Sequence, residues 1–599
     1  MCGIFSYTGK NVLTSHELLS RLQRLEYRGY DSFGYGYVIN DRKGKNKTGF
    51  ETVKKVGKVS DYLTENHRDT ELKTAVSHTR WATHGSVTEA NTHPHVSYDG
   101  TVCLVHNGVI ENHGQIKTYL LDKDIPFASD TDTEVISNLL AYTFNQIVNL
   151  KQTERMAGLQ TCLRQIKGSY AIAFVHTDMP NVIYYAKKGS PLVIGRGESE
   201  KYISSDIYTF IDKTDNVMYL SDGDYGYISN DTCVRYNLND CETQPVNWTV
   251  VNATYDQVEL GDYQHYMIKE ICEQQNVIDN TIRNQNPVEL GNIVSKLTTC
   301  RRVVFSACGS SHYSSMVGAD LLRSQGVLAE CVLSSEFKAH EQSLHANDLI
   351  ICVSQSGETA DIIESINISK ARGCSVISVV NMPNSTIDRL SDSTLYVNAG
   401  PELCVLSTKS FTSQVAMFLS IWSKLSGKSL PLDAYENSIF RLVAKSTRNA
   451  IRNIAEDIYT KEHVYCLGRG EQHPVALEAA LKIKEVSYIH AEGFAGGELK
   501  HGSIALIEPG TPCILFVTKQ HELELLANGA ELKSRGAMII GVAENNDELF
   551  DHYIRVSEFA KSGPMLQIIP IQLLAYNLAL LRGLDPDKPR NLAKSVTVK

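Results

Sequence analysis

The sequence predicts a multidomain chain of mixed α+β and α/β class: a sheet-rich first half with helices laid on it, followed by two doubly wound lobes built on parallel sheets. Three observations carry this. Short alternating segments dominate before about residue 240, longer helical stretches take over after Tyr263, and one strand-and-helix pattern occurs twice in the second half, about 160 residues apart. The composition of these 599 residues, 42% apolar and 21% charged, is that of a globular protein too long for a single core.

Taken in order, Ala75-Val76-Ser77-His78, Val102-Cys103-Leu104-Val105 and Ala171-Ile172-Ala173-Phe174 read as strands. Two helices announce their starts with Thr-x-x-Glu: Thr14 and Glu17 ahead of Leu18, Leu19, Leu22 and Leu25, and Thr131 and Glu134 ahead of Val135, Ile136, Leu139 and Leu140. Residues 230–262, rich in Asn, Asp, Thr and Gln, read as the irregular end of the first domain and a linker. In the repeat, Val303-Val304-Phe305 corresponds to Val464-Tyr465-Cys466-Leu467, Leu349 to Val353 to Ile514 to Val517, and Val376 to Val380 to Met538 to Val542. Apolar runs of this length, spaced by helices, indicate parallel sheets buried on both faces. The expected domains are 1–240, a linker and lead-in helix at 241–284, lobes at 285–430 and 450–585, and a tail at 586–599.

A net charge of −10 with dispersed basic residues argues against a nucleic-acid partner. The start has neither a basic n-region nor an apolar h-region, so a cytoplasmic location is expected and the sequons at Asn46 and Asn252 carry no weight. Fourteen Cys without a Cys-x-x-Cys pair suit a reducing compartment. The apolar stretch Met565 to Leu584 is interrupted by Gln567, Pro570, Gln572 and Asn577, and reads as a buried helix, not a membrane span. His93 and His95 flank Pro94 on an expected loop without acidic or Cys neighbours at ligand spacing, so no metal is expected.

Cys2 follows the start Met. With Met1 removed, its thiol and a free α-amino group belong to one residue, a nucleophile with its own base. Ser354-Gln355-Ser356-Gly357-Glu358-Thr359 falls at a strand-to-helix junction, where hydroxyls, backbone N–H groups and the helix dipole favour a phosphate; a Ser-rich turn without a ligand fits the same residues. It lacks the Lys of a nucleotide P-loop. Glu478, Lys482 and Glu485 fall at i, i+4 and i+7 among Ala476, Leu477, Ala480, Leu481 and Ile483, one charged stripe on an apolar helix that suggests a cleft. Taken alone, Asn107-Gly108, placed just after an apolar strand, fits a hairpin turn, Asp132 an acid in a helix's first turn, Trp81 a core aromatic and Lys594 a solvated surface residue.

The strings Cys2-Gly3-Ile4, Leu25 to Ser32, His78 to Gly85, His106-Asn107-Gly108, Ser354 to Asp361 and Pro589 to Val598 together resemble the glutamine–fructose-6-phosphate aminotransferase (isomerising) family across essentially the whole chain. That resemblance implies an N-terminal-nucleophile glutaminase domain of four αββα layers followed by two sugar-isomerase (SIS) lobes. It implies transfer of the glutamine amide nitrogen to fructose 6-phosphate, giving glucosamine 6-phosphate and glutamate, the first committed step of hexosamine synthesis, without a cofactor. It makes Cys2 the nucleophile, Asn107 and Gly108 the oxyanion donors, and Arg80, Trp81, Thr83, His84 and Asp132 the glutamine site, with Arg80 on the carboxylate, Asp132 on the α-ammonium group and Trp81 gating ammonia transfer. Ser310, Ser311, Ser354, Gln355, Ser356, Thr359, Val405, Ser407 and Glu478 are implied to bind the sugar phosphate, with Thr408 beside them in the wall. Glu485 is implied to move the proton between C1 and C2, with Lys482 beside it. His501 is implied to open the ring, commonly from a partner subunit in a homodimer or larger homo-oligomer, and Lys594 to form a Schiff base with the open ketose. Ser503, a Ser where Thr is usual within Cys308-Gly309-Ser310-Ser311, and Leu406 depart from the family's usual residues, and Leu406 is expected to narrow the sugar pocket. A different N-terminal-Cys amidotransferase and a non-catalytic SIS sugar-phosphate sensor are the competing readings; the first lacks its pyrophosphate or ATP loop here, and the second gives no reason for Cys2, Glu485, His501 and Lys594 to occur together.

Overall fold

The computed structural model describes residues 2–40, 48–65, 69–147, 151–239, 242–251, 259–559 and 561–596. Met1, Asn46 and Lys47 of one sequon, the second sequon at Asn252, and Thr597-Val598 lie outside them. The chain packs as two units, Met1–Glu259 with Ala593–Lys599, and Leu260–Leu592.

In the first unit alternating strands close into two antiparallel sheets. The eight-stranded sheet runs, edge to edge, Thr249–Val250, Asn216–Tyr219, Val193–Arg196, Glu200–Ser204, Gly3–Thr14, Glu71–Arg80, Ser32–Asn40 and Thr48–Val56. The seven-stranded sheet runs Thr243–Gln244, Cys233–Asn237, Asp224–Ile228, Ile183–Lys188, Gly168–His176, Val102–Ile110 and His95–Val96. Strands therefore continue past residue 240 as edges of both sheets, where the sequence suggested irregular chain. Ile4, Val76, Val105, Ala173 and Ile194 fill the space between the sheets. Leu18, Leu22 and Leu25 cover the outer face of one sheet and Val135, Leu139 and Leu140 the other, which makes the four αββα layers. Burying each such side chain contributes about 1.5–3 kcal/mol.

Both helix starts form, but each capping box is one-sided. Thr14 accepts from Glu17 N at 3.1 Å and Thr131 from Glu134 N at 3.4 Å. Glu17 turns instead to Arg21 at 3.1 Å, and Glu134 accepts from the Ala128 and Ser129 amides at 2.7 and 2.6 Å.

The second unit holds two five-stranded parallel sheets of the same order. One runs Ala329–Leu333, Arg302–Ala307, Asp348–Ser354, Ser375–Val380 and Ser393–Tyr396; the other runs His490–Ala495, His463–Gly468, Pro512–Phe516, Met538–Ala543 and His552–Arg555. In each the strand order reverses between the second and third strands, the crevice where doubly wound folds bind ligands. In the first sheet that crevice is flanked by the turns after Ala307 and after Ser354. The lobes share one core through the packed helices Gly309–Arg323 and His473–Ser487. The apolar segment expected as one helix is broken into Gly563–Gln567 and Ile569–Leu581, with Pro570 in the first turn of the second. Among the described residues, Gly563–Leu581 is the one helical stretch long and apolar enough to cross a membrane, and it is 83% buried inside the protein.

Candidate active sites

The first site lies where the strand Gly3–Thr14 begins. Pairing of Gly3 with Thr79 sets Cys2 beside the end of the strand Glu71–Arg80. Trp81 N–H donates to Cys2 Sγ at 3.2 Å, and Asp31 accepts from Ala82 N at 2.8 Å, pinning the loop above the thiol. Burial raises the Cys2 thiol above its ordinary pKa, and the Trp81 amide and Arg80 pull it back only in part.

Cys2, Arg80, Trp81, Thr83, His84, Gly108 and Asp132 line one pocket. Trp81 is half-buried with its ring edge-on to Tyr30 at 5.6 Å, not in the core. Asp132 opens the helix Asp132–Asn145 and accepts from Ile110 N at 2.8 Å. The Arg80 guanidinium donates to the carbonyls of His84, Gly85 and Ser86 at 2.6, 3.0 and 3.2 Å, so besides facing the pocket it holds the loop carrying His84.

Asn107-Gly108 is no hairpin turn and does not follow its strand: both residues are inside the strand Val102–Ile110, because pairing with Gly168–His176 continues through them. Asn107 Nδ2 donates to Cys2 O at 3.0 Å and Ser205 Oγ at 2.9 Å. Gly108 sits at φ +131°, and a Cβ there would meet Ser169 O at 2.1 Å, so only glycine fits. A second depression beside Cys2 is lined by Arg28, Asn107, Gly108, Ser190 and tail residues Ala593 and Ser595.

His93 and His95 are not on an open loop. Both are buried, His95 opens a strand, and His93 stacks on His78 with ring centres 4.0 Å apart. Burial, with His106 and Arg80 nearby, pulls His78 down to about 3, and burial likewise lowers His93, His95 and His106. Asp31, His78, Ser205 and Thr133, which also lines the pocket and whose Oγ1 lies 2.9 Å from His106 Nδ1, escaped the sequence reading; Asp31 and His78 lie within the quoted strings, but a string does not show what its residues touch.

The second site lies in the other unit, at the crevice of the first parallel sheet. Ser354 Oγ lies 3.1 Å from Thr359 Oγ1 and accepts from Gly357 N at 3.0 Å, and Ser356 Oγ accepts from Glu358 N at 3.2 Å. The loop thus meets two of its own amides. Gln355 O accepts from Asn381 N at 3.3 Å, and Glu358 ties the loop to Thr386 through N and Oγ1 at 2.7 and 2.8 Å. Gly357 has φ +66°, and a Cβ would meet Ser385 Oγ at 2.0 Å.

The stripe Glu478, Lys482, Glu485 lies on the helix His473–Ser487: Glu478 and Lys482 are fully buried, while the Glu485 side chain is 18% exposed. Lys482 Nζ is 2.7 Å from Glu485 and 3.4 Å from Glu478. Burial pushes Glu478 up to about 8 despite Lys482, with Ser310 of the opposite lobe beside it, while its two acidic neighbours raise Lys482 above its ordinary value despite burial. Ser311 accepts from Gln414 Nε2 at 3.0 Å. Ser407 shares a hydrogen bond with Ser410 at 2.5 Å, and Thr408 N donates to buried Glu402 at 2.9 Å. Val405 N donates to Asp587 O at 3.2 Å, while the Asp587 carboxylate accepts from the Tyr266 and Met267 amides, each at 2.7 Å. The Leu406 side chain is in the hydrophobic core, 1% exposed. His501 ends a short 3-10 turn, Glu498–His501, and is exposed. Lys594 is grouped with the first unit and half-buried.

Residues 296–423 and 457–582 match the SIS domain, and residues 78–212 a glutamine amidotransferase domain. The glutamine–fructose-6-phosphate aminotransferase (isomerising) of Pyrococcus horikoshii is 38% identical over 619 residues, covering 100% of both chains. The chain belongs to that family. The aminotransferase of the same name from Aquifex aeolicus is also 38% identical, again over the whole of both chains. The solved C-terminal domain of the glucosamine–fructose-6-phosphate aminotransferase of Francisella tularensis covers 55% of this chain and 100% of its own, at 30% identity and a TM-score of 0.51. The family's two-part architecture accounts for both sites: the amidotransferase match falls on the unit that holds Cys2, and both SIS matches fall on the unit that holds the Ser354 loop and Glu485.

Proposed function

We propose that this protein transfers the amide nitrogen of L-glutamine to D-fructose 6-phosphate and isomerises the product to D-glucosamine 6-phosphate, releasing L-glutamate. The observation that carries this is identity over the full length of both chains with relatives of that name, combined with a cysteine at position 2 that faces Arg80 and Asp132 across one pocket.

Cys2 attacks the side-chain amide carbon of glutamine. The carbonyl oxygen becomes an oxyanion held by Gly108 N–H and by Asn107 Nδ2, which turns one hydrogen to it from Cys2 O or Ser205 Oγ; the proton taken from the thiol passes to the amide nitrogen, which leaves as ammonia, and the thioester that remains is hydrolysed by water to glutamate. The raised thiol pKa means that a base must take the thiol proton, and the α-amine freed by removal of Met1 supplies it. Arg80 grips the α-carboxylate and Asp132 the α-ammonium group, with Thr83 and His84 completing the pocket. Ammonia in water at neutral pH becomes ammonium, which is no nucleophile, so transfer proceeds within the protein, with Trp81 as its gate.

The sugar phosphate is held by Ser354, Gln355, Ser356 and Thr359, with Ser310, Ser311, Val405 and Ser407 around it. His501, reaching from a partner subunit, opens the ring; its exposure in the single chain supports this. Lys594 forms the Schiff base with the open ketose, and ammonia displaces it. Glu485 carries the proton between C1 and C2, with Lys482 and Glu478 setting its surroundings. We place the end of the first domain after its edge strand Thr249–Val250 and not at 240, and the lobe boundaries at 285, 430, 450 and 585, with the residues from 586 on as the tail to the sugar site. The enzyme works in the cytoplasm as a homodimer or larger homo-oligomer, and the free thiols of all described cysteines fit a reducing compartment. Purified protein given both substrates must form glucosamine 6-phosphate; absence of product from the wild type overturns the proposal.

A further inference from the structure

We propose that His78 is a positioning residue that locks the Asn107 side-chain amide in the orientation the oxyanion site requires. This rests on the assignment of Asn107 above. His78 pairs with Ile4 across the sheet and is completely buried under the strand that carries Asn107. Its Nε2 lies 2.9 Å from His106 O and 3.0 Å from Asn107 Oδ1. A main-chain carbonyl can only accept, so Nε2 bears the hydrogen, and that shared N–H requires an acceptor at the facing atom of Asn107.

The ring's other nitrogen fits this tautomer. Nδ1 is buried without a hydrogen-bond partner, where a bare lone pair is tolerated better than an orphaned N–H. Burial keeps the ring neutral, and stacking on His93 fixes its plane. At the far end of the amide the discrimination is weaker. Nδ2 meets Cys2 O, but its second partner, Ser205 Oγ, can donate as well as accept, so a flipped amide loses one contact there and keeps another. His78 supplies most of the preference for Nδ2 on the pocket side, where negative charge develops.

The test is a double-mutant cycle in the full-length protein, reading glutamine hydrolysis. His78→Phe should lower kcat about 100-fold with the glutamine KM within about threefold, and His78→Gln, which can place an amide N–H near Nε2, should recover about tenfold. In an Asn107→Ala background His78→Phe should cost nothing further. Losses that multiply in the double mutant, a loss confined to KM, or no gain from His78→Gln would overturn the proposal. If Asn107→Ala costs kcat but His78→Phe does not, only this inference fails; if Asn107→Ala is harmless, the oxyanion assignment fails and takes it along. Neutron diffraction on the wild type decides independently of folding defects: hydrogen on Nδ1 in place of Nε2 overturns it.

Discussion

Cys2 has a thiol that burial makes harder to ionise, set against an amide N–H that stabilises it once ionised. Cys2→Ala should therefore abolish glutamine hydrolysis while sugar-phosphate isomerisation persists, and glutaminase activity surviving that change would mean that Cys2 is not the nucleophile. Asn107→Ala, removing one oxyanion donor, should cost about 10²–10³ in kcat with little change in KM. Sequence singled out Cys2, Asn107 and Arg80 because each lies in a distinctive string of residues, whereas Asp132, outside those strings, was singled out by the family resemblance alone. It did not reveal Ser205, which meets Asn107 from 98 positions away, because a local pattern carries no information about distant partners; nor did it reveal the Arg80 bonds to the nearby His84 loop, because a string of residues does not show how its loop folds back.

At the scale of elements, the helix His473–Ser487 was readable from spacing alone, since i, i+4 and i+7 share a face and apolar neighbours keep that face from solvent. What spacing could not give is the protonation. With its pKa near 8, Glu478 is mostly the neutral acid at pH 7, so Glu478→Gln should keep isomerisation within about tenfold, whereas Glu485→Gln should lose about 10²–10⁴. As pH rises through 8, Glu478 ionises beside Glu485 and Lys482, so wild-type isomerisation should fall there; a pH profile of Glu478→Gln should lack that limb. The turn from Ser354 to Thr359 was legible as hydroxyls at a strand-to-helix junction, but not that Ser354 and Ser356 cap the loop's own amides. Gly357→Ala, forced into a left-handed backbone against Ser385, should cost about 1–2 kcal/mol and raise the KM for fructose 6-phosphate with glutamine hydrolysis unchanged. The break at Ile568 in the apolar segment was signalled by Pro570, which fits a first helical turn better than an interior.

For the whole molecule, the repeated strand pattern of the second half appears as two parallel sheets of identical order, and the alternating first half as two antiparallel sheets. Parallel strands buried on both faces leave unmistakable apolar runs, whereas the edge strands Thr243–Gln244 and Thr249–Val250 are too short and polar to announce themselves. If His501 serves the partner's sugar site, an equimolar, reassorted mixture of His501→Ala and Lys594→Ala subunits should hold one intact site in each mixed dimer, about half of all dimers, giving about a quarter of wild-type synthesis from two inactive parents; no recovery would place His501 in its own subunit's site. The most direct measurement is synthesis from glutamine labelled with nitrogen-15 at the side-chain amide, run with fructose 6-phosphate in excess unlabelled ammonium. Nitrogen freed at Cys2 and passed within the protein predicts glucosamine 6-phosphate that carries the label. Unlabelled glucosamine 6-phosphate, or none at all, would contradict it.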